Sequence, residues 1–149
     1  MKVHRANPDE VDAAYAIVLE YYEAVSVLVR DDRAAFEQEY FTDASGIWLA
    51  TVDGSVIGCI GLHRLPNLKD GAEIKRLYVY PEHRGQGIAE ALLDAVEAYA
   101  AEHGYKALYL DSKSDLLTAI RFYQRHGYSP CERYNDNPQA TIFMRKELH

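Results

Sequence analysis

Cysteine is scarce in this chain. Cys59 and Cys131 are the only two in 149 residues, and neither belongs to a CxxC pair or a Cys/His cluster with metal-ligand spacing. A structural zinc site is therefore not expected, and folding has to rest on a hydrophobic core. Long apolar runs are also missing: none approaches the roughly 18 residues that a membrane span requires. The opening stretch "MKVHRANPDEVDAAY" lacks the apolar core of an export signal, so the expectation is a cytoplasmic protein with no membrane partner. Positive charge is in deficit, with 16 Lys and Arg against 23 Asp and Glu, a net charge of −7. That balance argues against nucleic acid as a partner and mildly favours small cations. No repeat, low-complexity tract or Pro/Gly/Ser-rich linker divides the chain, so residues 1–149 are expected to form one domain.

What is present is ordinary globular material, 48% hydrophobic and 26% charged, well inside the range that folds. "NPDE" at Asn7–Glu10 reads as a helix start, with Pro8 at the first position and Glu10 placed to close a capping box. Val11, Ala14, Tyr15, Val18, Tyr22, Val25 and Val29 then recur at helical spacing, and "RDDRAAFEQEYF" reads as a shorter second helix. Two β-rich runs flank Asp53-Gly54, a hairpin signal. A third strand is expected over Ala72–Tyr80, where Pro81 ends it. A helix is expected from Ile88 to His103, closed by Gly104, and a strand over "KALYLDS". The intervening helix makes that strand parallel to the third one in a right-handed βαβ unit. "LLTAIRFYQRH" reads as a further helix ended by Gly127, and the tail as two strands about a turn containing Asn137-Pro138. The expected fold is α+β, with a mixed sheet of six or seven strands and about four helices.

The stretch "VYPEHRGQGIAEALLDA" is the most informative. A strand passes through a turn with two glycines directly into an apolar helix, which leaves main-chain N–H groups unpaired at a helix N-terminus, where an anion is favoured. Gly85 and Gly87 allow close approach, Arg84 adds a forked donor, and Ala89 keeps the first turn small. The turn is neither of the two common nucleotide motifs: GxxxxGK[ST] is absent, and GxGxxG would need glycine where Glu90 stands.

"RGQGIA" is similar to the R/Q-x-x-G-x-G/A phosphate loop of the GNAT superfamily of acyl-CoA-dependent N-acetyltransferases, at Arg84, Gly87 and Ala89. "AIRFYQRHGY" resembles that family's later A-x-x-F-Y-x-x-x-G-F/Y segment, and the likeness runs from about Ile47 to the C-terminus. The resemblance implies that acetyl-CoA is the co-substrate, with its pyrophosphate on the amides of Arg84, Gly85, Gln86, Gly87, Ile88 and Ala89. Its pantetheine arm would run along Leu77, Tyr78 and Val79, beside strands that splay apart, often at a β-bulge. It further implies Tyr123 as the acid that protonates the departing thiolate, a freed N–H near Tyr78 or Val79 as oxyanion donor, and Glu73 or Asp111 as base. His63 is a further titratable group nearby. Two departures stand out: Leu116 replaces a common Asn seven residues before the tyrosine, and Glu90 follows the loop where a basic residue is common. The acceptor site is expected among Tyr21, Tyr22, Trp48, Tyr134 and Asn135, with Glu20, Glu23 and Glu73 as acidic neighbours. The expected activity is acetyl transfer to a primary amine of a small molecule. A protein amine as acceptor and a non-catalytic acyl-CoA-binding module are the alternatives, and the resemblance allows a homodimer.

Overall fold

The computed structural model describes residues 1–43 and 45–149. Among the described residues seven strands, β1 (Lys2–Arg5), β2 (Gly46–Val52), β3 (Ser55–Arg64), β4 (Gly71–Val79), β5 (Ala107–Ser112), β6 (Ser129–Pro130) and β7 (Ile142–Glu147), form one mixed sheet in the order β1-β2-β3-β4-β5-β7-β6. The helices are α1 (Val11–Ala24), α2 (Arg33–Tyr40), α3 (Ile88–Glu102) and α4 (Leu117–Arg125). Helices cover both faces of the sheet, so its central strands are apolar on both sides. Strand alternation divides β2 between two cores. Ile47 and Leu49 pack with Ile17, Val18, Phe36 and Tyr40 of α1 and α2, whereas Trp48 and Ala50 pack with Leu92, Val96 and Ala100 of α3.

The hairpin and the βαβ unit form as expected. Asp53 and Gly54 both have positive φ, 51° and 80°, the backbone that a two-residue turn matched to strand twist requires. β5 runs parallel to β4, and Gly104 and Gly127 follow the ends of α3 and α4 with positive φ. The capping box forms as expected, with Pro8 in the first turn and the Glu10 carboxylate accepting from the Asn7 N–H at 3.1 Å, and it opens a 3₁₀ turn at Pro8–Glu10 that leads directly into α1. One local expectation fails. α1 then stops at Ala24, because Ser26 turns left-handed at φ 57° and the Val27 N–H bonds back to the Tyr22 carbonyl. Val25 and Val29 therefore lie beyond the helix, and Val29 is exposed. β1 has no counterpart in the sequence reading.

The decisive feature is in β4. Cys59 pairs with Tyr78 and Gly61 with Lys75, so Arg76 and Leu77 together oppose the single residue Ile60. This is a β-bulge, with Arg76 at φ 61°. The Cys59 thiol donates to the Arg76 carbonyl at 3.1 Å, giving the displaced peptide a partner. On the other edge, β4 pairs with β5 only over Gly71–Glu73 against Ala107–Tyr109. Beyond that point the two strands part.

Gly61 lies opposite the start of the bulge, and a Cβ there would come within 2.8 Å of the Tyr40 ring and 3.1 Å of the Lys75 carbonyl. Gly61→Ala is expected to lower stability by about 1–3 kcal/mol. Denaturant unfolding measures this, and an unchanged midpoint would refute the packing described.

Candidate active site

The parted strands open a cleft of about 610 Å³. Glu73, Leu77, Asp111 and Tyr123 line it, so two strands, β4 and β5, and one helix, α4, bring the sequence-predicted acid, bases and one arm-binding residue to one place. Glu73 is only 4% exposed. Its Oε2 accepts from the Tyr134 hydroxyl at 2.6 Å and from Asn135 Nδ2 at 3.0 Å, and its Oε1 lies 3.8 Å from Lys75 Nζ. The same Asn135 Nδ2 donates to Asp111 Oδ2 at 2.7 Å, and Asn137 Nδ2 adds a longer bond of 3.3 Å. One amide nitrogen thus spans the two carboxylates. Asn135 is held in that sense because its Oδ1 accepts the Asn137 N–H at 3.0 Å.

Arg133 makes this presentation rigid, donating to the carbonyls of Asn135, Asn137 and Ala140. On the opposite wall, residues 25–31 form a strap between α1 and α2. Gln139 clasps it at two points, accepting from the Leu28 N–H at 3.0 Å and donating to the Ser26 carbonyl at 3.2 Å. Lys113 Nζ donates to the Val25 carbonyl at 2.9 Å.

Tyr123 is buried, with its ring against Phe122 and Tyr128. Burial raises its phenol above the ordinary value, with a smaller contribution from Tyr21, so it holds its proton at neutral pH. His63 also lines the cleft, 3.5 Å from Glu39 Oε1. Burial, followed by the Lys75 charge, lowers its pKa, which keeps the ring neutral near pH 7.

At the far end of β4, Pro81–His83 form a 3₁₀ turn, and the chain enters α3 through Arg84–Gly87. Gly85 and Gly87 have φ of 79° and 78°, and a Cβ on either would meet nothing within 4 Å. Glycine is required there for conformation, while the space above the loop stays open. The turn's main-chain bonds are made by the N–H groups of His83, Arg84 and Ala91, and among the described residues the amides between them have no main-chain partner at the positive end of α3. An anionic diphosphate fits these donors. Arg84 is partly committed to the protein, with Nε donating to the Val79 carbonyl at 2.9 Å and its guanidinium over the Tyr78 ring. The Tyr80 N–H bonds to Ile57 of β3, so strand alternation turns the Val79 N–H toward the unpaired side.

The residues expected around an acceptor divide. Tyr21 and Asn135 line the cleft, and Tyr134 bonds Glu73, but Trp48 lies in the α3-side core with its ring 4.9 Å from that of Tyr99. Tyr22 is fully buried, and Glu23 is on the surface paired with Arg30. Sequence reasoning missed Asp31, Glu39, Lys75, Arg76, Asn137 and Gln139. One signal was available: two consecutive cations, Lys75-Arg76, inside a largely buried strand fit a bulge better than regular alternation.

Residues 11–128 match the acetyltransferase (GNAT) family. The chain is 30% identical over 148 residues to an uncharacterized N-acetyltransferase of Schizosaccharomyces pombe, covering 95% of this chain and 90% of that protein. It is 32% identical over 108 residues to human N-acetyltransferase 8B, covering 70% of this chain and 48% of that protein, so it spans about half of the human relative. In fold it is similar to a GNAT-family acetyltransferase of Staphylococcus aureus, with a TM-score of 0.84, 21% identity and 99% of both chains covered. It is likewise similar to the PaiA N-acetyltransferase of Thermoplasma acidophilum solved in complex with coenzyme A, with a TM-score of 0.73 and 15% identity over 99% of this chain and 98% of that one. The chain belongs to the GNAT acetyltransferase family.

Tyr134→Phe removes the 2.6 Å donor to a buried carboxylate and is expected to cost about 1–3 kcal/mol in denaturant unfolding at pH 7. Burial, then the Glu73 charge, raises the Tyr134 phenol above its ordinary value of 10.0. The folded state therefore keeps a proton that the unfolded chain releases, so stability falls as pH rises through 10. The variant's loss of stability above pH 10 should be shallower than that of the parent; parallel curves would contradict the assignment.

Proposed function

We propose that the protein moves the acetyl group of acetyl-CoA directly to a primary amine of a small molecule, with both substrates bound together. The observation that carries this reading is the parting of β4 from β5. It leaves an open main-chain edge between a diphosphate-binding turn and a cleft holding Glu73, Asp111 and Tyr123. The solved relative in complex with coenzyme A supports the choice of co-substrate.

In this reading the amides from Arg84 to Ala89 take the pyrophosphate, and the edge at Leu77, Tyr78 and Val79 takes the amide groups of the pantetheine arm as an added strand would. Leu116, at the entrance to α4, offers the arm only an apolar contact. The acceptor enters as an ammonium drawn by carboxylates, and Glu73 removes its proton. Asp111, tied to Glu73 through Asn135, can take the proton by way of water. The neutral nitrogen forms its bond to the thioester carbonyl carbon, the Val79 N–H donates to the oxygen as it becomes negative, and the C–S bond breaks. Tyr123 gives its proton to the departing sulfur, and the second proton that the nitrogen sheds as the amide forms returns by way of water to the Tyr123 oxygen. A strap clasped across one wall favours a small acceptor over a protein surface.

A thermal-shift series with acetyl-CoA, CoA, ATP and NAD is the first test. Acetyl-CoA at a hundredfold excess over its Kd should raise Tm by about 5–10 °C, and ATP and NAD by much less. Tyr123→Phe should lower kcat about 10²-fold or more while leaving acetyl-CoA affinity nearly intact. An unchanged kcat in thiol-release assays would remove Tyr123 from the acid role.

A further inference from the structure

The proposed reaction uses Glu73, Asp111 and Tyr123 and leaves a second group of charges in the same cleft without work. The bulge places Lys75 and Arg76 on the same side of β4, facing α1 and α2. Arg76 lies against the rings of Tyr21 and Tyr22, with its guanidinium carbon 5.8 Å and 5.0 Å from their centres. Its side chain is 12% exposed. Among the described residues its Nε is buried without a hydrogen-bond partner, and so is Asp31 Oδ2, although the closest approach of the two side chains is 3.9 Å, beyond hydrogen-bond length.

An unmet donor and an unmet acceptor side by side in a ligand cleft are unusual, because buried polar groups are nearly always paired. Asp31 also has Glu39 beside it; burial and then that neighbour push its carboxyl above the ordinary value. Glu39 in turn is 3.6 Å from Lys75. At formal charges the two carboxyls of Asp31 and Glu39 balance Lys75 and Arg76, so the patch suits neither a plain anion nor a plain cation. What complements it is a group with an acceptor and a donor a few ångströms apart.

We propose that Arg76 and Asp31 bind the α-amino-acid head of the acceptor, carboxylate on Arg76 and α-ammonium on Asp31, so that a diamino acid presents its distal amine to Glu73. Arg76 is three residues from Glu73, about 10 Å of strand. The Arg76 and Glu73 side chains, together with an amino-acid side chain of three or four carbons, cover that span. The inference rests on the acetyl-transfer reading above and adds the class of acceptor. Arg76 and Asp31 determine specificity and take no part in moving the proton or the acetyl group.

Four acceptors distinguish the possibilities with the intact protein and acetyl-CoA: L-ornithine, L-lysine, cadaverine, which lacks the carboxylate, and 6-aminohexanoate, which lacks the α-ammonium. The better diamino acid should exceed each truncated amine by about 10- to 100-fold in kcat/KM, since a site built to pair polar groups rejects analogues without them. Arg76→Met should erase the advantage over cadaverine, Asp31→Asn the advantage over 6-aminohexanoate, and Arg76→Lys should restore part of the former. Cadaverine matching the diamino acids, or Arg76→Met reducing all four acceptors equally, overturns the proposal. Mass spectrometry of the product must find the acetyl group on the distal nitrogen; acetylation at the α-nitrogen also overturns it. Should acetyl-CoA bind and some other amine turn over while diamino acids do not, this inference falls and the acetyltransferase reading stands. Absence of any acetyl-CoA binding removes both.

Discussion

A central strand that stops pairing on one edge is the constraint on which the rest of this molecule depends. β4 sits in the middle of a seven-stranded sheet, yet its ladder to β5 ends after Glu73. Main-chain donors and acceptors that lose their partners inside a protein are costly, so such an edge persists only where water or a ligand can reach it. The bulge at Arg76–Leu77 sets which groups are exposed. It inserts one residue against Ile60, shifts the alternation of everything that follows, and is held by the Cys59 thiol on the Arg76 carbonyl. That thiol has no other evident chemistry: burial raises it to about 12, so it stays protonated and serves as a donor.

The same insertion organises the charges. Without a bulge, Lys75 and Arg76 would point to opposite faces, and one cation would be driven into the apolar core against α3. With it, both share the α1 and α2 face with Glu73, while Leu77 packs toward the α3 side. Backbone geometry in one strand therefore decides both where the open edge lies and which ions stand beside it. The carboxylates are fixed from the other side by Asn135 and Tyr134, in a loop whose carbonyls Arg133 gathers.

Much of this could be read from the residues. Asp53-Gly54 fixed the hairpin, the glycine spacing around Gly85 and Gly87 marked the loop, and the apolar period of Ile88, Leu92 and Val96 marked α3. Tyr123, Glu73 and Asp111, the acid and bases that the sequence resemblance implies, line one cleft. The failures have physical causes. β1 is a four-residue edge strand whose letters, KVHR, carry almost no apolar signal. Val25 and Val29 continue the helical period of α1, but Ser26 adopts a left-handed backbone that serine rarely announces. Trp48, expected at the acceptor site, packs instead in the α3-side core, because alternation along β2 says which residues share a face without saying which face is which. The strap's clasp by Gln139 joins residues 111 and 113 positions apart. No local pattern encodes a contact of that range.

One strand thus carries, in order, the base candidate, the bulge and the open edge, and the turn into α3 follows it directly. Because Glu73 and Val79 share that strand, their spacing is set by strand rise and by a single bulge rather than by the packing of separate elements. Loops can then vary without disturbing the distance between the place where a diphosphate would sit and the place where an amine would lose its proton. The strap over residues 25–31 and the loop over 133–140 contribute to the walls of the cleft, and among the described residues Arg84–Gly87 do not. The division follows from chemistry: a reaction centre tolerates errors of only a fraction of an ångström, so it belongs on a rigid strand. Discrimination among acceptors is a matter of which side chains line one wall, and loops supply those at little cost to the sheet.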